Sequence, residues 1–123
     1  MPDFRRLLVW QKAHALSFRA DKLAASIRPR KPHLATQMER AADSIAALIA
    51  EGSAADSDKE FARFVTMAIK STTEYENHIE KAYGGQLMST SAYNSYLPDT
   101  IEVRRMLIGL RKRLRGNSDN KER

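Results

Sequence analysis

SDKEFARFVTMAIKSTTEYENHIEKAYGG, residues 57–85, is the stretch that decides the fold. Phe61, Val65, Ala68, Thr72, Tyr75, Ile79 and Ala82 recur in it at spacings of four and three, so they share one stripe of a helix. Ser57 and Glu60 form an S-x-x-E capping box at its start, and Gly84-Gly85 closes it. Working outward, the same period continues on both sides. Upstream it runs through Val9, Ala13, Leu16, Ala20, Leu23 and Ile27, and then through Leu34, Met38, Ala41, Ile45 and Leu48. Downstream it runs through Tyr93, Tyr96, Thr100, Val103, Leu107, Leu110 and Leu114. No stretch alternates with period two, so no strand is expected.

The punctuation gives the same count. Pro29 should end the first helix, because the residue before a proline is pushed out of the α region. Pro32 suits the first turn of the second, where its missing N–H costs nothing. Gly52 is expected as a left-handed cap that stops the second helix. Ser89 or Thr90 can cap the fourth, and Pro98 is expected to kink it between Asn94 and Pro98. The expected fold is an all-α, up-down-up-down antiparallel four-helix bundle about 30 Å long, in one domain over 1–115. Its helices span 7–27, 33–51, 58–83 and 90–115, and 116–123 form a mobile tail.

Composition excludes more than it suggests. The 123 residues include no cysteine, which removes disulfides, thiolate zinc sites, iron–sulfur clusters and thiol nucleophiles together. The longest apolar run, Ile45–Ala50, is far short of the roughly 20 residues a bilayer requires, and no signal-peptide core follows Arg5-Arg6. A soluble cytoplasmic protein without a membrane partner is expected. The net charge is +6, from 21 basic and 15 acidic residues. Residues 1–40 hold nine Lys/Arg and three acids, 41–80 three and eight, and 81–123 nine and four, so positive charge collects at the two ends of the chain.

Three chemistries can be set against these residues. A di-iron site needs Glu-x-x-His pairs on two helices, whereas this chain offers Glu74 and His78 four apart and three histidines in all. A solvated helix face accounts for them better. Arg28 and His33 bracket a segment that two prolines hold extended, which does not suit the helical Arg–His motif of some small ribonucleases. No G-x-S-x-G elbow or glycine-rich phosphate loop is present. No catalytic residue, metal ligand or cofactor-binding residue is expected, and the protein is not expected to be an enzyme.

Two surfaces remain as functional candidates. Leu7, Trp10, His14 and Phe18 fall within an arc of about 80° on the first helix, opposite the Val9–Ile27 stripe. They either pack against loops at the bundle edge or form a self-association interface, and the interface is the favoured reading. The second candidate is basic. Arg28, Arg30 and Lys31 cluster in the first loop, and Arg104, Arg111 and Arg115 lie within about 40° of one another on the fourth helix, with Arg105 and Lys112 on the adjacent flank. These charges are expected to face outward and bind RNA or DNA through its phosphate backbone, without base stacking, since no aromatic is interleaved. Helix-end capping and solubility are the competing explanation of the same charges, and with it the protein would be a protein–protein adaptor.

The chain also resembles the small bacterial four-helix bundle proteins encoded by intervening sequences in large-subunit ribosomal RNA genes. The likeness rests on Val9-Trp10-Gln11-Lys12-Ala13, on Arg40-Ala41-Ala42 with Ser44-Ile45, on Ile49-Ala50-Glu51-Gly52, and on Ser57 with Lys59-Glu60-Phe61. Ala46 and Leu48 stand where that pattern commonly has proline and asparagine. The resemblance implies a ring of identical subunits, since related bundles form cyclic pentamers. The related accessory variability determinant of diversity-generating retroelements is a basic bundle that binds nucleic acid and a reverse transcriptase. The partners so implied are other copies of the chain, RNA or DNA, and a protein. The family offers no catalytic residues to carry over.

Overall fold

The computed structural model describes residues 3–122, with side chains described as far as Asn117. A 3-10 turn, Phe4–Arg6, leads into four helices: α1 Leu8–Ile27, α2 Pro32–Ser53, α3 Asp58–Gly84 and α4 Thr90–Glu122. Among the described residues there is no strand. Each helix packs on the next in chain order, and α4 returns against α1 to close a four-helix bundle.

The periodic residues form the core. Val9, Ala13, Leu16, Ala20, Leu23 and Ile27 are all buried, as are Leu34, Met38, Ala41 and Ile45, Val65 to Ala82 of the third stripe, and Thr100, Val103, Leu107 and Leu114. Phe61, Leu48, Tyr93, Tyr96 and Leu110 pack at its margin. Burial pushes the Tyr75 phenol well above its ordinary value, because the ionised form would lose its hydration.

The stops divide into those that behave as expected and those that do not. Ser57 accepts from the Glu60 N–H at 3.1 Å, and Ser89 Oγ accepts from the Ala92 N–H at 3.0 Å. The return half of the capping box is not made, because Glu60 pairs with Arg63 instead. Helix α1 ends at Ile27, yet Arg28 keeps α angles (φ −55°, ψ −41°). Pro29 therefore acts through its missing N–H rather than by displacing its predecessor, and the Arg30 and Lys31 N–H groups turn back onto the Ile27 carbonyl at 3.1 and 2.8 Å.

Gly52 is not a left-handed cap. It lies within α2, which runs on to Ser53, and it is buried. A Cβ there would stand 2.6 Å from Phe64 Cβ and 2.8 Å from Phe61 Cδ1, so the missing side chain lets α2 and α3 approach. Among the described residues, the one in the left-handed region is Gln86, at φ 61°. It sits at the C′ position of a Schellman turn, with Gln86 N–H on the Tyr83 carbonyl at 3.0 Å and Leu87 N–H on the Ala82 carbonyl at 2.8 Å. Glycine adopts that angle without steric cost, so Gln86→Gly should raise stability by roughly 0.5–1 kcal/mol, read as a higher urea midpoint at unchanged slope.

Helix α4 departs from expectation at its C-terminal end. It passes through Pro98 as one continuous helix and reaches Glu122, beyond the expected end at 115. Residues 116–122 of the expected mobile tail are thus helical in backbone, while residue 123 lies outside the described residues. Pro98 has no N–H, so the Asn94 carbonyl lacks its helical donor there, at an exposed residue. One turn away, Arg19 of α1 spans the seam. It donates to the Ser95 carbonyl at 3.1 Å, to Ser95 Oγ at 2.7 Å and to the Asp99 carboxylate, and it lies 4.3 Å over the Tyr96 ring. Lys12 to Glu102, at 3.3 Å, is the second tie. The α1–α4 seam is the most sparsely packed of the four, and these long side chains bridge it.

Candidate functional site

The topology sets the two basic clusters apart. The turn between α1 and α2 lies at the same end of the bundle as the turn between α3 and α4, whereas the C-terminal turns of α4 lie at the other end, beside Phe4–Arg6. With about 30 Å of helix between them, the first-loop and fourth-helix cations do not make one surface.

At the first end, Arg28 is engaged: it donates to Glu39 and, at 3.2 Å, to Thr36 Oγ1. Arg30 and Lys31 are exposed, and His33 Nε2 lies 3.2 Å from Gln37 Nε2. At the second end, the stripe divides. Arg104 is half-buried and donates to Glu76 of α3 at 2.5 Å, and Arg111 reaches Thr66 Oγ1 of α3 at 3.4 Å. Neither projects freely outward as the stripe predicted. An angle measured from the core stripe places a residue on a flank, and α3 covers the flank that these two occupy. Arg105, Lys112 and Arg115 are exposed, and among the described residues they make no ion pair or hydrogen bond.

Arg113 joins them, exposed and likewise without a partner among the described residues. Helix angles place it toward α1 rather than with the stripe, so angular sorting passes it over. The plain run Arg111-Lys112-Arg113 is the signal that finds it. Arg6, exposed in the 3-10 turn, is at the same end, while its neighbour Arg5 is paired with Asp3 at 3.0 Å. The Asp3 carboxyl is held below its usual range, first by the Arg5 backbone N–H that it accepts.

The aromatic face is built by helical spacing. Trp10, His14 and Phe18 follow one another at four-residue steps. The Trp10 and His14 rings stack at 4.5 Å and 15°, and Phe18 meets His14 edge-on at 4.9 Å. Phe4, from the 3-10 turn, extends the ladder by an edge contact with Trp10 at 5.0 Å. Leu7 and Trp10 are half-buried against the core, whereas His14 is exposed and Phe18 is 57% exposed. The face therefore has an anchored half and an open half. Beside it, burial raises the Asp43 carboxyl above its usual range, and the nearby charges of Asp21 and Glu39 add to the shift.

Among the described residues, no group of three or more His, Asp or Glu could hold a metal ion. Glu76 and Glu80 of α3 are taken by Arg104 and Tyr93, and Glu74 stands 3.7 Å from His78 Nε2. No described helix is long and apolar enough to cross a membrane.

Residues 5–109 match the family described as 23S rRNA-intervening sequence protein. The chain belongs to the 23S rRNA-intervening sequence protein family. The match takes in all of α1, α2 and α3, and α4 as far as Gly109. Lys112, Arg113 and Arg115 therefore fall just past the matched segment. Among solved structures, this family member is similar to a protein of unknown function from the S23 ribosomal protein family of Bacteroides thetaiotaomicron. Identity is 24%, the TM-score is 0.81, and the alignment covers 85% of this chain and 99% of that one. At that identity the likeness establishes the shared fold. No curated protein matches the chain.

Proposed function

We propose that this 23S rRNA-intervening sequence family protein is a non-catalytic, self-associating bundle that binds the phosphate backbone of RNA or DNA at the C-terminal end of α4. The observation that carries the reading is the group of exposed cations Lys112, Arg113 and Arg115, which no described acid neutralises. The helix dipole acts within the last turn, and these cations lie about two turns before α4 ends at Glu122, so helix-end capping does not account for them. Here three lie within four residues, with Arg6 at the same end of the bundle. No aromatic ring stands among them, so contact is with phosphates, and sequence preference is weak. Three or four phosphate contacts bind weakly on their own. Copies joined through the aromatic face of α1 present several such ends at once, and avidity raises the affinity without any new contact.

Fluorescence anisotropy with labelled single-stranded RNA and DNA tests this. Binding should weaken steeply with salt, with a log–log slope of roughly −2 per subunit engaged on a single strand. The triple variant Lys112→Glu, Arg113→Glu, Arg115→Glu should bind at least about tenfold more weakly, while Arg30→Glu with Lys31→Glu, at the far end, should leave affinity unchanged. Absence of binding by the unmodified protein at low salt would leave the adaptor reading, which the open half of the aromatic ladder favours.

A further inference from the structure

One row of α4 bordering α1 reads cation, vacancy, cation. Arg105, Gly109 and Arg113 follow one another at four-residue steps, and all three line an open pocket of about 440 Å³ at the α1–α4 seam. Its walls are aliphatic. Leu8, the first residue of α1, stands 58% exposed on one side, and Met106 and Leu110, packed on the core, form the other. Both arginines are exposed and make no ion pair or hydrogen bond among the described residues. No described neighbour requires the vacancy between them. A Cβ on Gly109 would come no closer than 3.7 Å to another group, the Arg113 guanidinium, which is ordinary contact. Gly52 is glycine because α3 crosses there, whereas alanine at 109 would strengthen the helix without crowding anything.

A ligand that suits this pocket carries negative charge on both sides of an uncharged, flat group. The two arginines rise about 12 Å apart along α4 with Gly109 midway, and their long side chains reach anions on either side of it. A nucleic-acid strand has that repeat, with a phosphate before and after each base. An acyl chain or an apolar carboxylate has one charged end and would leave the other arginine without a partner. A duplex keeps its bases inside the stack, and extruding one costs the energy of unpairing and unstacking it. We infer that the pocket receives one unstacked base of a single strand of RNA or DNA, with Arg105 and Arg113 on the phosphates that flank it. This rests on the phosphate binding proposed above and narrows its substrate to single strands. The aliphatic walls offer the base no hydrogen-bond code, so sequence preference stays weak. Lys112 and Arg115 lie within two residues of Arg113, and the strand leaving the pocket passes them.

Fluorescence anisotropy with two labelled single strands of equal length and charge, one carrying bases and one abasic throughout, tests the pocket. The wild type should bind the base-bearing strand at least about fivefold more tightly. Gly109→Leu fills the pocket from its floor and should bring the two affinities within about twofold, with the salt slope unchanged because no phosphate contact is lost. Gly109→Ala, the milder filling, should fall between. Circular dichroism verifies that both variants remain helical, and light scattering gives their assembly mass. No binding of either strand at low salt overturns this inference and the phosphate reading together. Equal binding of the two strands by the wild type overturns the pocket and leaves phosphate binding standing. A Gly109→Leu variant that still discriminates sets the base elsewhere, and one with an altered mass gives the vacancy to a second copy. Either result overturns the inference.

Discussion

Gly52→Ala should destabilise the bundle by about 2 kcal/mol, against the sign that helix propensity alone predicts. Gly52 lies inside α2, where alanine is the better helix former by roughly 1 kcal/mol, so an open site would gain stability. The site is closed. The added Cβ would meet Phe64 Cβ at 2.6 Å and Phe61 Cδ1 at 2.8 Å. Phe61 can rotate, but Phe64 Cβ is bonded directly to the α3 backbone, so the two helices must separate. Overpacking of this kind costs about 1–3 kcal/mol or more, which exceeds the propensity gain. Urea unfolding, compared at one fixed protein concentration, gives the number. An equal or higher midpoint would show that α2 and α3 yield at this contact.

Arg19→Ala should cost about 2 kcal/mol. The guanidinium makes three hydrogen bonds across the α1–α4 seam and lies over Tyr96. Both side chains of the Arg19–Asp99 pair are 37% exposed, so the ionic part is screened and contributes less than a buried pair would. Most of the loss comes from the unmade hydrogen bonds and the vacated ring face. Arg19→Lys should recover less than half of it, because an ammonium cannot fork to a carbonyl, a hydroxyl and a carboxylate while stacking flat. Lys12→Ala removes the other tie, an exposed ion pair, and should cost under about 1 kcal/mol. Equal costs for Arg19→Ala and Lys12→Ala in urea unfolding would mean that Arg19 does not hold the seam.

Both cases mark where sequence reading stops. Gly52 after a long apolar run suggests a helix stop, and the contact that explains it comes from Phe61 and Phe64, in another helix. Arg104 and Arg111 share a helical arc with Arg115, and only the position of α3 separates two seam residues from one exposed cation. By contrast, the Trp10–His14–Phe18 ladder is legible in the sequence, because i, i+4 neighbours meet on their own helix whatever lies beyond it. Gln86 carries no sequence signal, since the adjacent Gly84-Gly85 offers the expected cap and the chain places its left-handed residue one step later.

The sequence by itself determined four helices, nearly all of their stops and the buried stripe of each. Those follow from backbone hydrogen bonding, proline chemistry and a hydrophobic period, all of which act within a few residues. The tertiary structure decided which flank of each helix is covered. It thereby decided which arginines are taken by α3, why α2 needs a glycine where α3 crosses closest, and that the two basic clusters stand at opposite ends. Periodicity gives an angle about a helix's own axis, and the neighbour that fills that angle is set by how the four axes pack together.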